Sequence, residues 1–255
     1  MVGAVALGAS ALVGGLLFVP TAVSSTPGAF HYTGDSGPAF WAEIDPAWDA
    51  CAGAGGEQTP INIGSVAADA SLEALDLDLH ATPVELLNNG HAIEQEYEVG
   101  SSIVVGGVTY ELLQFHFHTL SEHTVRRAQY PMEMHAVFKD AISGDLVVVG
   151  TFFNLGPESD FLGELITAGL PEKEGDHTTG GEIDVSEVLT PRATSSYYTY
   201  SGSLTTPPCS EIVTWFVLKR PQTMSRDQFF AFRGIMGNNF RPIQPRMGRV
   251  VLATP

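Results

Sequence analysis

Positively charged side chains are scarce in this sequence and are missing from its first 125 residues. The chain has 12 lysines and arginines against 29 aspartates and glutamates, which gives a formal charge of −17. No lysine or arginine precedes Arg126, whereas 15 acidic residues do. A surface of this kind repels nucleic acids and anionic membranes. We therefore expect no nucleic-acid partner, and no membrane partner for the folded domain.

Long apolar segments are also absent, apart from one at the N-terminus. Residues 2–19 carry no charge and are followed by Pro20 and several small residues. This pattern is typical of a secretory signal peptide, so residues 1–28 are predicted as a signal peptide or export segment and 29–255 as the domain. No basic residue precedes the apolar run, and the run is at the short limit for spanning a bilayer, so an uncleaved membrane anchor stays open. The expected location is secreted or periplasmic.

Cysteine is nearly absent, and the sequence contains no phosphate-binding loop or dinucleotide-binding fingerprint. The two cysteines are Cys51 and Cys209. A disulfide is chemically reasonable in an exported chain, because the compartment outside the cell is oxidising. Their separation in the sequence does not show whether they pair, so two buried thiols remain the alternative at this point.

Hydrophobic periodicity predicts a mainly β protein with one domain, since no repeats or interdomain linkers are present. Alternating or continuous apolar runs predict strands at 72–79, 92–99, 101–113 (a hairpin), 146–154 and 211–218. Helical spacing predicts helices over 158–169 and 226–236, the second of them capped by Ser225. The polar, glycine-rich stretch 171–182 is predicted to be a loop.

Three histidines fall on two predicted strands that are close in the sequence. His116 and His118 are two residues apart, so they share one face of a strand, while Phe115 and Phe117 point to the opposite, buried face. His135 lies on the next strand. Three imidazoles on one face, without a fourth protein ligand nearby, form the pattern of a catalytic zinc site. The alternative is two histidines at the edge of the core and one unrelated histidine.

The residues around these histidines resemble the signature of the α-class carbonic anhydrases, in particular the secreted and bacterial ones. Residues 114–118 read Gln-Phe-His-Phe-His, and 121–137 contain Ser-Glu-His and Glu-Met-His-Ala-Val. The resemblance extends from residue 30 to about 251. It implies an α+β fold of mainly β character, with a large, twisted, mostly antiparallel central sheet and short peripheral helices.

The resemblance also implies an activity, which is the zinc-dependent, reversible hydration of carbon dioxide to bicarbonate and a proton. The implied zinc ligands are His116, His118 and His135. Among the implied catalytic residues, His91 is the proton shuttle, and Thr205 and Glu122 are hydrogen-bonded to each other and orient the reacting water. The implied supporting residues are Gln114, Glu133 and Tyr32 in the hydrogen-bond network, Val137, Val148, Leu204, Thr206 and Trp215 around the substrate pocket, and Cys51 and Cys209 in a disulfide.

Some positions depart from the family pattern, and other functions stay open. Thr119 stands where an aromatic residue is common, and Glu94 stands where asparagine is frequent. A carboxylate at position 94 is expected to raise the pKa of His91. The alternative functions are a non-catalytic carbonic anhydrase-like binding module and a different zinc hydrolase, although no His-Glu-x-x-His helix is present. A homodimer is also possible on the sequence alone.

Overall fold

Thirteen strands join into one large, twisted, mixed sheet among residues 29–53 and 55–255, which are the residues that the computed structural model describes. In chain order the strands are β1 (Asn62–Ile63), β2 (Ala67–Ala68), β3 (Asp76–Asp78), β4 (Thr82–Asn88), β5 (Ile93–Glu96), β6 (Ser102–Val105), β7 (Val108–His118), β8 (Thr124–Val125), β9 (Ala128–Gln129), β10 (Met132–Lys139), β11 (Leu146–Leu155), β12 (His177–Ile183), β13 (Tyr197–Gly202), β14 (Val213–Leu218), β15 (Gln222–Met224) and β16 (Leu252–Ala253).

The main path of the sheet has the order β12-β4-β5-β7-β10-β11-β14-β13-β16-β2. Strand β11 pairs in parallel with β14 and β15, β16 pairs in parallel with β2, and the other pairings of this sheet are antiparallel. Strands β1, β8 and β9 form a separate small sheet. The predicted mainly β fold with a mostly antiparallel central sheet is confirmed.

Short helices surround the sheet. They are α1 (Trp41–Ile44), α2 (Asp160–Ala168), α3 (Pro191–Thr194) and α4 (Arg226–Met236), with 3-10 turns at Gly34–Ser36, Pro46–Ala52 and Val185–Glu187. Within 29–53 and 55–255, no helix has the length and apolar character needed to cross a bilayer. The predicted export segment, 1–28, lies outside the described residues.

The helices predicted over 158–169 and 226–236 are confirmed, and polar caps fix where they begin. The hydroxyls of Ser159 and Ser225 each accept a backbone N–H from the first turn of their helix. Such caps contribute about 1 kcal/mol each. The amide of Gln228 completes the capping box of α4 and also bonds the backbone N–H and carbonyl of Ser159, so it joins the starts of α2 and α4.

The prediction of a loop over 171–182 is wrong for the second half of that segment. Strand β12 spans His177–Ile183 and pairs antiparallel with β4 at the edge of the sheet. Its side chains are mostly exposed on both faces, and the register shifts at Gly180 and Gly181. A strand that buries neither face needs no alternation of apolar residues, so hydrophobic periodicity cannot reveal it.

The main core lies on one face of strands β7 and β10. Phe115 and Phe117 have no exposed surface. The ring of Phe115 packs against Phe161 on α2 at a centroid distance of 5.4 Å, and the ring of Phe117 packs against Phe232 on α4 at 4.8 Å. Burial of an aromatic side chain of this size contributes roughly 1.5–3 kcal/mol. Because side chains alternate along a strand, burial of these phenylalanines directs the neighbouring histidines to the opposite face.

The acidic side chains have few cationic partners. In the part of the chain that the structure describes, no lysine or arginine side chain lies within 4.0 Å of a carboxylate. The contacts of this length all involve histidines. The buried Arg241, for example, bonds the backbone carbonyls of Thr59 and Cys51 instead of a carboxylate. The acidic surface therefore gains little local compensation, and its charges repel one another.

We predict that the melting temperature rises when NaCl is increased from about 0.1 M to about 1 M, because the screening length falls from about 10 Å to about 3 Å. Differential scanning calorimetry measures this directly. A parallel series in sucrose at matched osmolality separates charge screening from general exclusion effects. A melting temperature that stays flat or falls with NaCl contradicts the prediction.

Candidate metal centre

The three predicted ligand histidines meet on the face of the sheet opposite the main core. His116 and His118 end strand β7, and His135 lies on β10 directly across from His116 in the antiparallel register. One ligand nitrogen from each ring lies within 4.8 Å of the other two. His118 and His135 are 1% exposed. The alternation of two adjacent strands thus creates a compact site with three imidazoles.

Each of these imidazoles uses one nitrogen to bond an oxygen atom. Nδ1 of His116 bonds Oε1 of Gln114 at 2.8 Å, and Nδ1 of His118 bonds the carbonyl oxygen of Asn239 at 2.6 Å. Nε2 of His135 bonds Oε1 of Glu133 at 3.0 Å. Carbonyl and carboxylate oxygens only accept, so these ring nitrogens donate their protons. The other nitrogen of each ring is left with a free lone pair.

The free nitrogens suit a zinc ion. Nε2 of His118 is buried and has no hydrogen-bond partner, which is costly unless another group binds it. Burial, followed by the neighbouring imidazoles, holds the pKa of His116 well below its usual value, and burial likewise lowers the pKa of His118. Neutral imidazoles are the form that binds metal. Zinc accepts three such ligands and leaves a fourth position open, so the residues fit this ion.

A second group of three side chains is less suitable for a metal. His123, Glu133 and His135 also place one ligand atom each within 4.8 Å of the others. However, Oε1 of Glu133 already accepts from Nδ1 of His123 at 2.7 Å and from Nε2 of His135 at 3.0 Å. Those nitrogens are donors, and their lone pairs are not free. This group therefore supports the ligand His135 rather than forming a second site.

Glu133 anchors a buried hydrogen-bond network behind the ligands. Its Oε2 accepts the backbone N–H groups of Glu122 and His123, both at 2.9 Å, and Nε2 of His123 continues the network to the hydroxyl of Tyr200 at 2.6 Å. Burial alone would raise the pKa of Glu133, but His123 and His135 hold it well below its usual value. The carboxylate therefore stays ionised and fixes the ring of His135.

Glu122 is close to the ligands but is not bonded to Thr205. Its Oε1 accepts the backbone N–H of Arg241 at 2.7 Å. Its Oε2 is buried without a hydrogen-bond partner and lies 3.6 Å from Nε2 of His118 and 3.9 Å from Nδ1 of His135. The hydrogen bond between Thr205 and Glu122 that the resemblance implies is not formed in this structure, because Oε2 is directed toward the imidazoles.

The predicted apolar wall lies beside the ligands. Val137 on β10 is the register partner of Val148 on β11, and Val148 is the partner of Trp215 on β14. These three side chains are at most 8% exposed and belong to one buried cluster, against which Leu204 packs. The ring of Trp215 lies 4.8 Å from that of His135. Adjacent strands thus place an apolar surface next to the metal site.

Tyr32 is buried within the coulombic range of Glu122, near the ligands. Its hydroxyl makes no hydrogen bond to another protein group, so its part in the hydrogen-bond network stays a prediction. Burial, with a smaller contribution from Glu122, raises its pKa well above the usual value. Its ring packs edge-to-face with Phe30 and Trp41 at 6.2 and 5.9 Å, and this packing decides its position.

His91 lies at the start of the segment that leads into β5. Its backbone N–H donates to the side chain of Asn89, and its carbonyl accepts a hydrogen bond from Nδ2 of Asn239. The backbone carbonyl of Asn239 in turn accepts from Nδ1 of His118. Burial, followed by His31, lowers the pKa of His91. Glu94 is not among the groups that shift this pKa, so its expected effect on His91 stays a prediction, and burial sets the direction of the net shift. Glu94 is itself half-buried, and burial raises its own pKa.

The loop that carries Thr205 and Thr206 is tied down by a disulfide. Thr205 is 6% exposed and Thr206 is half-buried. The predicted bond between Cys51 and Cys209 is confirmed, and the backbone N–H of Cys209 donates to the carbonyl of Thr206 at 2.8 Å. The disulfide therefore connects the loop beside the ligands to the N-terminal part of the domain.

Replacing both Cys51 and Cys209 with alanine should lower the free energy of unfolding by about 2–4 kcal/mol, because the unfolded chain loses a cross-link between residues 158 positions apart. Urea unfolding followed by tryptophan fluorescence measures the change. Wild-type protein treated with a reductant is the matched control and should approach the variant. An unfolding midpoint that is the same with and without the disulfide contradicts the prediction.

Sequence reasoning did not assign a role to Asn239 or Arg241. Both lie within the part of the chain that resembles the family, but their contacts with His118 and Glu122 use backbone atoms. The side chain of Asn239 also bonds the backbone N–H of Thr119, the residue that departs from the family pattern. Backbone contacts carry no residue-specific pattern, so the resemblance alone could have suggested only that the segment is near the site.

Comparison with known proteins agrees with this geometry. A family model described as eukaryotic-type carbonic anhydrase matches residues 36–255. A carbonic anhydrase from Klebsiella pneumoniae is 38% identical over 250 residues, which are 96% of this chain and 98% of that protein. The solved α-carbonic anhydrase of Photobacterium profundum is 39% identical with a TM-score of 0.81, covering 88% of this chain and all of that one. The enzyme of Thermovibrio ammonificans, solved with the inhibitor sulfanilamide, is also 39% identical with a TM-score of 0.83, over 88% and 98% of the two chains.

Proposed function

We propose that this chain, which belongs to the eukaryotic-type (α) carbonic anhydrase family, hydrates carbon dioxide reversibly at a zinc ion held by His116, His118 and His135. The observation that carries the proposal is the convergence of these three neutral imidazoles, each oriented by an oxygen partner. A bound zinc ion would supply a Lewis acid that lowers the pKa of a water molecule in the open position.

The protein residues around that position orient the reactants. Thr205 would supply a hydroxyl and Glu122 a carboxylate, and the backbone N–H of Arg241 holds that carboxylate through Oε1. Thr205 does not donate to Oε2 of Glu122 in the structure, so one of the two side chains has to reorient before this bond can form. A positioned acceptor of this kind directs a lone pair toward the substrate.

The apolar wall has a separate role, which is to hold carbon dioxide. This molecule is uncharged and has little capacity for hydrogen bonding, so the surface formed by Val137, Val148, Leu204 and Trp215 suits it better than a polar one. Bicarbonate carries a charge and is held less well on the same surface. The wall therefore favours substrate entry and product release.

A stopped-flow assay of carbon dioxide hydration tests the proposal. Inductively coupled plasma mass spectrometry should find one zinc ion per chain in the purified protein. Dialysis against a zinc chelator should remove both metal and activity, and added zinc should restore them. A zinc-loaded protein without activity would support the alternative of a non-catalytic binding module.

The cellular location is part of the same proposal. An oxidising compartment agrees with the disulfide between Cys51 and Cys209, and residues 1–28 have the composition of an export segment. We place the active domain outside the cytoplasm. N-terminal sequencing of protein recovered from a native-type host should show a start near residue 29. Protein that retains residues 1–28 and pellets with membranes would instead support an anchored form.

A further inference from the structure

We propose that His31 is a second proton carrier, which receives protons from His91 and passes them to the solvent. This inference rests on the proposed function, in which a proton must leave the site in every turnover. It concerns a histidine that the sequence did not distinguish from a surface residue. Its basis is the arrangement of His31, Phe30 and His91 at the rim of the site.

The two imidazoles are close enough for transfer through water. The ring centroids of His31 and His91 lie 6.3 Å apart, with 57° between their planes. This separation is too long for a direct hydrogen bond between ring nitrogens in most orientations, and it leaves room for one bridging water. A proton can therefore pass between the rings without large movement of either side chain.

The backbone of His31 is fixed although its side chain is exposed. Its N–H donates to the carbonyl of Ser36 at 2.8 Å, and its carbonyl accepts from Nε1 of Trp41 at 3.0 Å. Trp41 has no exposed surface, so it anchors this segment in the protein. An exposed imidazole on a fixed backbone stays in contact with water and near His91.

His91 is held with one nitrogen facing inward. Its ring stacks on Phe30 at a centroid distance of 3.7 Å and an interplanar angle of 14°. Its Nδ1 is buried and has no hydrogen-bond partner. A half-buried imidazole in this position has limited access to buffer molecules, whereas His31 beside it is exposed. The second imidazole thus extends the path from the interior to the surface.

The charges around His91 favour movement of a proton outward. The titratable groups that face it are His31, Glu174 and, through the side chain of Asn89, Glu94. Glu174 packs against Gly90, where an added Cβ would lie 2.9 Å from its carboxyl carbon. Burial and His31 lower the pKa of His91, while Glu174 opposes them. A protonated His91 therefore releases its proton readily to a neighbour with more solvent contact.

The transfer involves no net change in covalent structure. Protonated His91 gives a ring N–H proton to the bridging water, and this water gives one of its protons to the neutral nitrogen of His31. His31 then gives its proton to buffer or bulk water. Both imidazoles end in the neutral form, and the cycle can repeat.

The test is a comparison of His31→Gln with wild type in stopped-flow hydration at low and high buffer concentrations. Proton export limits kcat but not kcat/KM when buffer is scarce. We expect a several-fold fall in kcat at low buffer, an unchanged kcat/KM, and recovery of kcat on addition of imidazole. His80→Gln is the matched control, since His80 is exposed and pairs with Asp78 away from the ligands; it should behave as wild type.

Two further variants separate transfer from a simple charge effect. His31→Lys places a permanent cation near His91 but cannot exchange protons efficiently at neutral pH, so it should be as slow as His31→Gln. If the lysine variant instead retains the wild-type kcat, His31 acts only through its charge and the proposal is overturned. An unchanged kcat in His31→Gln at low buffer also overturns it.

A His91→Ala background shows whether the carriers act in series. Without His91, the His31→Gln change should have no further effect on kcat, because His31 receives its protons from His91. An additional fall of similar size would mean that His31 works independently, which contradicts the proposal. If His91→Ala alone has normal kcat at low buffer, the shuttle role that the family resemblance implies for His91 fails, and the present inference fails with it. A slow His91→Ala with a normal His31→Gln removes only the present inference.

Discussion

His118→Ala should lose its zinc and reduce carbon dioxide hydration to the background rate. His118 makes the shortest oxygen contact of the three ligands, from Nδ1 to the carbonyl of Asn239 at 2.6 Å, and its Nε2 is buried without a hydrogen-bond partner. Alanine leaves two imidazoles, and the substitution leaves a small polar cavity at a position that is 1% exposed. Two neutral ligands hold zinc far more weakly than three.

Metal content and stopped-flow rates measured on the same preparation check this prediction. His80→Ala and His177→Ala are matched controls, since both histidines are exposed and neither belongs to the group of ligands. Each control should keep one zinc ion per chain and the wild-type rate. Thermal unfolding shows whether His118→Ala is folded. A folded His118→Ala with bound zinc and full activity would remove His118 from the ligand set.

Thr205→Ala should keep the zinc ion and lose about 10²-fold in kcat/KM. The expected loss follows from removal of one positioned hydrogen-bonding group near the reacting atoms. Thr205 is almost buried, on a loop fixed by the Cys51–Cys209 disulfide, so its hydroxyl has a defined position. The ligands and their oxygen partners do not include Thr205, which is why the metal should stay bound.

Two other substitutions make this result interpretable. Thr205→Ser keeps the hydroxyl and should recover most of the rate. If Thr205 acted only through its methyl group, serine would not restore the rate, because it lacks that group. Thr223→Ala changes an exposed threonine on β15 and should behave as wild type. An unchanged rate in Thr205→Ala would assign Thr205 to loop structure and would leave Glu122 without a partner in the proposed mechanism.

Elements with a strong local pattern could be predicted from the residues alone. The spacing of His116 and His118, with phenylalanines between and before them, was sufficient to place both imidazoles on one face of a strand. The start of α4 followed from Ser225 and the apolar spacing after it. The pairing of the cysteines came from family resemblance rather than from spacing. In each case the decisive information lies within a few residues or within a recognisable motif.

The atoms that hold the ligands and the rim of the site in place are visible only in the folded chain. The carbonyl of Asn239 meets His118 across 121 positions of sequence, and the N–H of Arg241 meets Glu122 across 119. Both are backbone groups, which every non-proline residue possesses, so no residue type marks them in advance. His31 similarly approaches His91 only because the chain brings the N-terminal segment beside the residues that precede β5. Long-range contacts of this kind depend on the path of the whole chain, and local sequence patterns do not encode them.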